Sequence, residues 1–240
     1  MDTPARFTSD FFNTLGYYWP LPFRGQFVRS VLAHVGASWD EADIGDLIDI
    51  KNSEPAKQSV PHMGPPVLID HVADLSLAQT PAILWYLGDR YELIPKDPAR
   101  AALTAKLIAD ASDVLNEMTL HHGAQMWTPE KWDAFRPRLG RWMAIFEEHG
   151  RRHGLTVDGG HVLGTDSPGV ADLVVHILWG VMTAKLPALR PLLETTAPAI
   201  AALSNRIGKL PDQAALRERS GAGSNHPQPA ISNSLNGHRT

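Results

Sequence analysis

The sequence of 240 residues contains no cysteine. A chain without thiols cannot form a disulfide, a thiolate metal site or a cysteine nucleophile. Any sulfur chemistry carried out by this protein must therefore use a sulfur atom that a ligand supplies.

The sequence also lacks an excess of basic residues and any long apolar run. The net charge is -4 and the pI is near 6.2, which argues against a surface for nucleic acid or anionic membranes. No apolar run approaches the roughly 20 residues of a membrane span. The first six residues show neither the basic nor the apolar region of a signal peptide. We therefore expect a cytoplasmic protein without nucleic-acid or membrane partners.

The first ninety residues alternate between strand and helix signals. Aromatic residues between Phe7 and Trp19 indicate a strand, and apolar residues at helical spacing predict a helix over 24–35. Residues 39–44 indicate a parallel second strand, and a short helix is expected around Leu47. This order, followed by a hairpin and a helix, predicts a small mixed sheet covered by helices, as in a thioredoxin-like unit.

Beyond the proline-bracketed residues 93–98, apolar residues recur with the helical period only. Two stripes predict helices over 103–118 and 132–150, and a nearly continuous apolar run over 170–182 predicts a helix buried on all sides. Shorter helices are predicted at 186–193, 198–207 and 213–219. We expect a sheet-containing domain at 1–92, a linker at 93–98, an all-helical domain at 99–219 and a polar tail at 220–240 with too little apolar surface to fold alone.

The most informative stretch is 64–87. Pro66 precedes the apolar run 67–69, where proline is tolerated as the first residue of a strand and its peptide bond can be cis at modest cost. Residues 74–78 alternate like a half-buried strand, so the two runs predict a hairpin. The pair Thr80-Pro81 then indicates a helix start, whose free amides and partial positive charge suit a carboxylate.

At these residues the sequence resembles the glutathione transferases. Residues 66–70, Pro-Val-Leu-Ile-Asp, and 79–87, Gln-Thr-Pro-Ala-Ile-Leu-Trp-Tyr-Leu, resemble the family's cis-proline strand and Gln-Ser/Thr helix start. Residues 18–29 resemble the start of the mu and sigma classes, where Tyr-Phe/Trp is followed by Arg-Gly and a helix with an arginine. The resemblance covers about 14–219 and implies an α/β plus all-α fold: a thioredoxin-like domain followed by an all-helical domain.

The resemblance also implies a tyrosine that activates a thiol. The spacing to Arg29 selects Tyr18 over Tyr17 as the hydroxyl that donates a hydrogen bond to the sulfur of glutathione. A hydrogen bond to the charged form of a group lowers its pKa, so Tyr18 would favour the thiolate. The alternative is that both tyrosines are aromatic residues at a strand end without a role in chemistry.

The other site residues are implied by the same resemblance. They are Lys57 for the glycyl carboxylate, Pro65 and Pro66 for the cysteinyl unit, Gln79 and Thr80 for the γ-glutamyl end, Asp113 for the glutathione of a neighbouring subunit, and Met118 for the second-substrate pocket. The structural alternatives are a simple helix cap at Thr80, a solvated lysine and a core methionine.

Two positions depart from the family's pattern. Pro65 has no amide where the family donates one to the cysteinyl unit. Gly169 stands where the family's core helix has a Ser/Thr cap paired with an acid; since glycine is an acceptable cap, we expect Asp172 to be structural. His149 and His153 have the spacing of metal ligands on one helix face, but the glycine between them and the usual exposure of histidine argue against a metal site.

We therefore expect a glutathione S-transferase of tyrosine type that uses glutathione as co-substrate, attacks a small hydrophobic electrophile and forms a homodimer. The absence of cysteine excludes the thiol transferases and dehydroascorbate reductases of the family. A glutathione-dependent isomerase, peroxidase or ether-cleaving enzyme on the same scaffold remains an alternative. A non-catalytic binding or regulatory protein is another, and Pro65 is the feature that favours it.

Overall fold

The structure is a computed structural model that describes residues 6–10, 24–41, 44–120 and 128–222. These residues form a four-stranded sheet with the order β2-β1-β3-β4. β1 is parallel to β2 and antiparallel to β3, and β3 is antiparallel to β4. The strands are β1 Arg6–Asp10, β2 Ser38–Glu41, β3 Val67–Asp70 and β4 Leu75–Ala78.

Helices make up most of the remaining described chain. In chain order they are α1 Gly25–His34, α2 Ile44–Asn52, α3 Thr80–Arg90, α4 Pro98–Thr119, α5 Pro129–Arg152, α6 Val170–Val175, α7 Met182–Lys185, α8 Leu189–Thr196, α9 Pro198–Ile207 and α10 Pro211–Ala222. A 3-10 turn, Pro55–Lys57, follows α2, and a π-helical turn, His176–Val181, joins α6 to α7. None of the helices formed by the described residues is long and apolar enough to cross a membrane.

The end of α1 follows from a glycine in the left-handed region. Gly36 has φ +65°, which costs glycine nothing sterically, and its amide bonds to the carbonyl of Ala33 at 3.1 Å. The amide of Ala37 returns to the carbonyl of Leu32 at 3.0 Å. These two bonds satisfy carbonyls that the last helical turn leaves free, so α1 stops here as the sequence predicts.

A single apolar core runs from the helices beside the sheet into the helical part of the chain. α6 is buried at every residue, as predicted, and the π-helical turn continues this buried segment. Trp179 of that turn meets Phe146 of α5 edge to face, with ring centroids 5.5 Å apart. The π-helical turn itself was not predicted.

The chain's last described helix returns to its first helix. Ser30 of α1 and Gln213 of α10 exchange two buried hydrogen bonds: the Ser30 hydroxyl donates to Gln213 Oε1 at 2.7 Å, and Gln213 Nε2 donates to the Ser30 carbonyl at 3.0 Å. His34 lies 3.1 Å from a carboxylate oxygen of Asp212. Because buried polar groups need partners, these pairs determine where α10 docks.

The expected fold class is confirmed, and the helix and hairpin predictions agree with the observed elements to within a few residues. The first strand was expected over 7–19; β1 ends at Asp10, and residues 11–23 lie outside the described residues. The polar tail was expected from residue 220, but α10 continues to Ala222, and the rest of that stretch also lies outside them.

Candidate functional site

Strand direction brings the predicted glutathione-binding segments to one edge of the sheet. The last pairs at this edge join Val67 to Asp10 on one side and to Ala78 on the other. Pro66, just before β3, therefore lies opposite Gln79, just after β4. The chain leaves β1 at this same edge and re-enters the described structure at Arg24.

The entry to β3 is a pair of prolines. The Pro65-Pro66 peptide bond is cis, Pro66 is buried and Pro65 is half-buried. Neither residue carries an amide hydrogen, so this backbone can accept hydrogen bonds but cannot donate them. A ligand seated beside it finds only carbonyl groups.

The corner between β4 and α3 carries unsatisfied donors. Gln79 is exposed and has φ +73° and ψ +116°, which is unusual for a residue with a side chain. Thr80 is 5% exposed, and its hydroxyl is buried with no hydrogen-bond partner among the described residues. α3 has no side-chain cap, so a simple capping role does not account for this hydroxyl. Free amides and a positive helix dipole favour an anion here.

A buried carboxylate fastens the closed end of the β3-β4 hairpin to α3. Asp70, at the end of β3, accepts hydrogen bonds from the amides of Val72 and Ala73 at 2.9 and 3.0 Å and from the Tyr86 hydroxyl at 2.5 Å. Arg90 Nη1 lies 3.1 Å from the same carboxylate. Burial raises the pKa of Asp70, but the three hydrogen bonds and the Arg90 charge outweigh it and hold this pKa below its usual value. Asp70 therefore holds the hairpin turn and α3 together.

α4 packs against α3, the helix whose start carries Thr80. Arg24, just before α1, donates from Nη1 to the Ser112 hydroxyl at 3.1 Å, and burial lowers the pKa of its guanidinium. The next residue, Asp113, is exposed, and its carboxylate makes no hydrogen bond or ion pair with the described residues. Met118, expected in the second-substrate pocket, is 0% exposed and belongs to the hydrophobic core. Because its side chain is enclosed, it offers no surface to a bound molecule.

Two sequence predictions lie elsewhere. Lys57 ends the 3-10 turn after α2 and is exposed, and it makes no ion pair among the described residues. Tyr18 and Tyr17 lie outside the described residues, so the assignment of the thiol-activating hydroxyl stays a prediction. The structure thus brings Pro65, Pro66, Gln79 and Thr80 together, while Lys57 and Asp113 sit on separate segments.

Two further groups of polar residues from the sequence analysis are Asp172 and the pair His149 and His153. Asp172 accepts hydrogen bonds from the amides of Gly169 at 2.9 Å and Val162 at 2.8 Å, which is the structural role expected of it. The rings of His149 and His153 lie 4.9 Å apart, and burial lowers the pKa of His149 to about 4. Within the described ranges, no three metal-ligating side chains come together.

Sequence reasoning missed the supporting residues of the site. Asp70 is followed by turn residues, which is the signal of an aspartate that hydrogen-bonds to nearby amides. Tyr86 and Arg90 lie four apart on one helix, as partners on a shared face do. Neither signal identifies the contact between Asp70 and Tyr86, which requires the hairpin to fold back onto α3.

Comparisons with known proteins agree with this architecture. A family model described as "Glutathione S-transferase, C-terminal domain" matches residues 103–236. No curated protein matches the sequence. A solved structure of a Pi-class glutathione S-transferase from Onchocerca volvulus is similar, with a TM-score of 0.69, 17% identity, and coverage of 93% of this chain and 98% of that chain.

A second solved structure, titled "Structure of NaGST-2", has a TM-score of 0.66 at 19% identity and covers 93% of this chain and 97% of that chain. At these identities the two structures establish the fold alone. The family model, by contrast, matches more than half of the chain. The chain therefore belongs to the glutathione S-transferase family.

Proposed function

We propose that this protein is a glutathione transferase of tyrosine type, which activates the thiol of glutathione for attack on a small hydrophobic electrophile. The observation that carries the proposal is the buried hydroxyl of Thr80 at the start of α3, which has no hydrogen-bond partner among the described residues and lies opposite the proline pair that precedes β3. An unsatisfied buried hydroxyl is costly and calls for an explanation. A bound carboxylate would supply the missing acceptor.

Each end of glutathione has a place in this proposal. The γ-glutamyl carboxylate accepts from the Thr80 hydroxyl and the first amides of α3, with Gln79 beside it. The cysteinyl unit lies along Pro65 and Pro66, where it can donate to carbonyl groups but finds no amide donor. The glycyl carboxylate meets the ammonium group of Lys57.

The chemistry follows from the position of the thiol. A free thiol with a pKa of about 8.5 is mostly protonated at neutral pH, and only the thiolate is strongly nucleophilic. In the proposal Tyr18 donates a hydrogen bond to the sulfur and lowers the thiol pKa, while the proton passes to solvent. The thiolate then forms a carbon-sulfur bond to the electrophile. In a substitution, the bond to the leaving group breaks; in an addition, the electron pair that is displaced onto the electrophile takes up a proton.

The proposal includes a cytoplasmic homodimer with the sheet domain at 1–92 and the helical domain at 99–219. Asp113 is exposed on α4, as a residue reaching toward the glutathione of a partner subunit would be. The helical domain supplies the pocket for the electrophile. Met118 is not part of this pocket, because the core encloses it.

A second candidate is a glutathione-binding or regulatory protein without catalysis. Pro65 favours it, because a missing amide donor weakens the hold on the cysteinyl unit that carries the reacting sulfur. An isomerase, peroxidase or ether-cleaving activity would use the same binding groups and thiolate. Measuring turnover of isomerase, peroxidase and ether substrates distinguishes such enzymes from one that conjugates glutathione to an electrophile.

The test is Thr80→Val, with Thr104→Val as the matched control. Thr104 is also buried, but its hydroxyl donates to the Arg100 carbonyl within α4, away from the sheet edge. Calorimetry should show Thr80→Val binding glutathione about tenfold or more weakly, since a hydrogen bond to a charged group contributes roughly 1.5 to 3 kcal/mol. The free energy of unfolding should not fall, because the lost hydroxyl has no hydrogen-bond partner in the part of the chain that the structure describes.

The parent protein and Tyr18→Phe complete the test. The ultraviolet absorbance of the thiolate, followed against pH, should titrate at lower pH in the parent complex than in free glutathione, and Tyr18→Phe should move it back. A parent protein that does not bind glutathione contradicts the proposal. A parent that binds it without lowering the thiol pKa supports the non-catalytic candidate instead.

A further inference from the structure

The segment that carries Lys57 has little regular structure of its own. Between α2 and β3, its backbone forms one 3-10 turn, with bonds from the Lys57 amide to the Glu54 carbonyl at 2.8 Å and from the Gln58 amide to the Pro55 carbonyl at 3.3 Å. Residues 54–57 are exposed. Such short local bonds, open to water, do not by themselves hold a turn in one place.

The side chain of Gln58 connects the Lys57 turn to the end of α2 on one side and to His62 on the other. Gln58 Nε2 donates to the carbonyls of Ile50 at 3.2 Å and Lys51 at 3.4 Å, in the last turn of α2. Its Oε1 accepts from the amide of His62 at 2.8 Å. Because the two carbonyls can only accept and the amide can only donate, these partners determine the orientation of the Gln58 amide group.

These bonds link the end of α2 to the approach of the proline pair. His62 lies three residues before Pro65, and its own ring nitrogen Nδ1 is 2.8 Å from the Val60 carbonyl. Lys57 directly precedes Gln58 in the chain. Anchoring Gln58 at both sides therefore determines where the backbone of Lys57 lies relative to Pro65.

The position of this backbone matters because a lysine side chain is long and mobile. Ordering its rotamers on binding costs conformational entropy, and this cost is lowest when the backbone already places the side chain near its ligand. Among the described residues Lys57 has no carboxylate partner that could hold it instead. Its contribution to binding thus depends on what holds the turn.

We propose that Gln58 is a positioning residue that places Lys57 for the glycyl carboxylate, and thereby makes the protein select glutathione over γ-glutamylcysteine, the dipeptide that lacks glycine. The inference rests on the proposed function. Gln58 does not touch the ligand; it acts through Lys57. Its removal should therefore affect only ligands that carry the glycyl unit.

The experiment measures the affinity of both peptides for the parent and for Gln58→Met, which keeps an unbranched side chain but makes none of the three hydrogen bonds. Glutathione should bind Gln58→Met about three- to tenfold more weakly, the loss expected from a few hydrogen bonds open to water. γ-Glutamylcysteine should bind both proteins equally. The kcat and the pKa of the bound thiol should not change, since the sulfur site is untouched.

Three variants separate a positioning role from a general structural one. Adding Gln58→Met to Lys57→Ala should produce no further loss, since residues that act through one another are not additive. Gln58→Glu keeps the acceptor for His62 but turns a carboxylate oxygen, which cannot donate, toward the Ile50 and Lys51 carbonyls, so it should weaken glutathione at least as much as Gln58→Met. Ser53→Ala is the matched control: its hydroxyl donates to the same Ile50 carbonyl at 2.7 Å but does not reach His62, so the selectivity should stay that of the parent.

Two results would overturn the inference alone. In the first, the parent prefers glutathione and Gln58→Met keeps the full preference. In the second, Gln58→Met weakens both peptides equally, which indicates a structural role without selectivity. A parent that binds neither peptide overturns the proposed function together with the inference.

Discussion

The hydroxyl of Tyr86 donates a hydrogen bond of 2.5 Å to the carboxylate of Asp70, which is itself 0% exposed. This bond joins the closed end of the β3-β4 hairpin to α3, and the corner with Gln79 and Thr80 lies between the two elements it joins. The geometry of the candidate carboxylate site thus depends on a contact at some distance from it.

Tyr86→Phe should destabilise the protein by about 1.5 to 3 kcal/mol, because it leaves a buried charge with one hydrogen bond fewer. Urea denaturation measures the change in the free energy of unfolding. Asp89→Asn, an exposed substitution on the same helix, should stay within about 0.5 kcal/mol of the parent. Equal losses in the two variants would show that the Tyr86 bond does not contribute.

Replacing Pro65 by valine should tighten glutathione binding. Valine restores a backbone amide, and one hydrogen bond of about 0.5 to 1.5 kcal/mol corresponds to roughly two- to twelvefold in the dissociation constant. Calorimetry checks this, with the exposed Pro61→Val as the control for losing a proline in the same segment. An intact fold without tighter binding would mean that the missing amide is not the limitation.

His176 should make the protein less stable in mild acid. Burial lowers the pKa of His176 to about 4; the hydrogen bond from its Nδ1 to the Ser204 carbonyl and the charge of Asp212 oppose this shift, and the charge of Arg217 adds to it. Above pH 6.5 the ring is neutral in both folded and unfolded states. Between 6.5 and about 4 only the unfolded chain binds the proton, so stability falls by up to about 1.4 kcal/mol per pH unit.

The variant His176→Asn keeps a donor near the position of Nδ1 and cannot bind this proton. Its free energy of unfolding, measured at several pH values between 7 and 4, should fall less steeply with decreasing pH than that of the parent. At pH 7 the variant should be the less stable of the two, because the smaller side chain leaves a cavity. His71→Asn on the exposed hairpin turn is the control. Parallel curves for the parent and His176→Asn would contradict the prediction.

Gly169→Ser should be destabilising even though serine is the better helix cap. A Cβ at Gly169 would lie 2.7 Å from the Leu93 carbonyl oxygen, which accepts the Val170 amide at 3.2 Å. Shifting this backbone should cost about 1 to 3 kcal/mol, more than a cap contributes over glycine. Gly159→Ser meets nothing within 4 Å and is the control in thermal unfolding. Stabilisation by Gly169→Ser would show that the backbone yields easily.

Glu147→Gln should lower the free energy of unfolding by about 1 to 2 kcal/mol, because Glu147 caps a helix that is distant in sequence. The Glu147 carboxylate, on α5, accepts from the amides of Ala199 at 3.2 Å and Ile200 at 3.0 Å, at the start of α9, which has no cap of its own. The neighbouring Glu148→Gln breaks only an exposed pair with Arg152 and should cost less than about 0.5 kcal/mol. Denaturation curves that do not differ between the two variants would refute this role.

Much of the architecture was predictable because it depends on local patterns. The change from mixed to helical periodicity agrees with the strands ending at Ala78 and helices following them, and Gly36 and Pro81 mark helix ends through backbone preferences that act within a few residues. The proline pair before β3 and the Gln79-Thr80 corner are contiguous motifs. Their chemistry could therefore be predicted before their contacts were known.

What the sequence determined by itself is thus local: the absence of any protein thiol, the elements and the motifs of the family. Tertiary structure decided what depends on distant partners. It enclosed Met118 in the core, left the Thr80 hydroxyl without an acceptor among the described residues, placed the Glu147 carboxylate at the start of α9 and tied Gln58 to both sides of the Lys57 turn. Periodicity reports which face of an element is apolar, but the partner of a polar group is decided only when separate elements pack together.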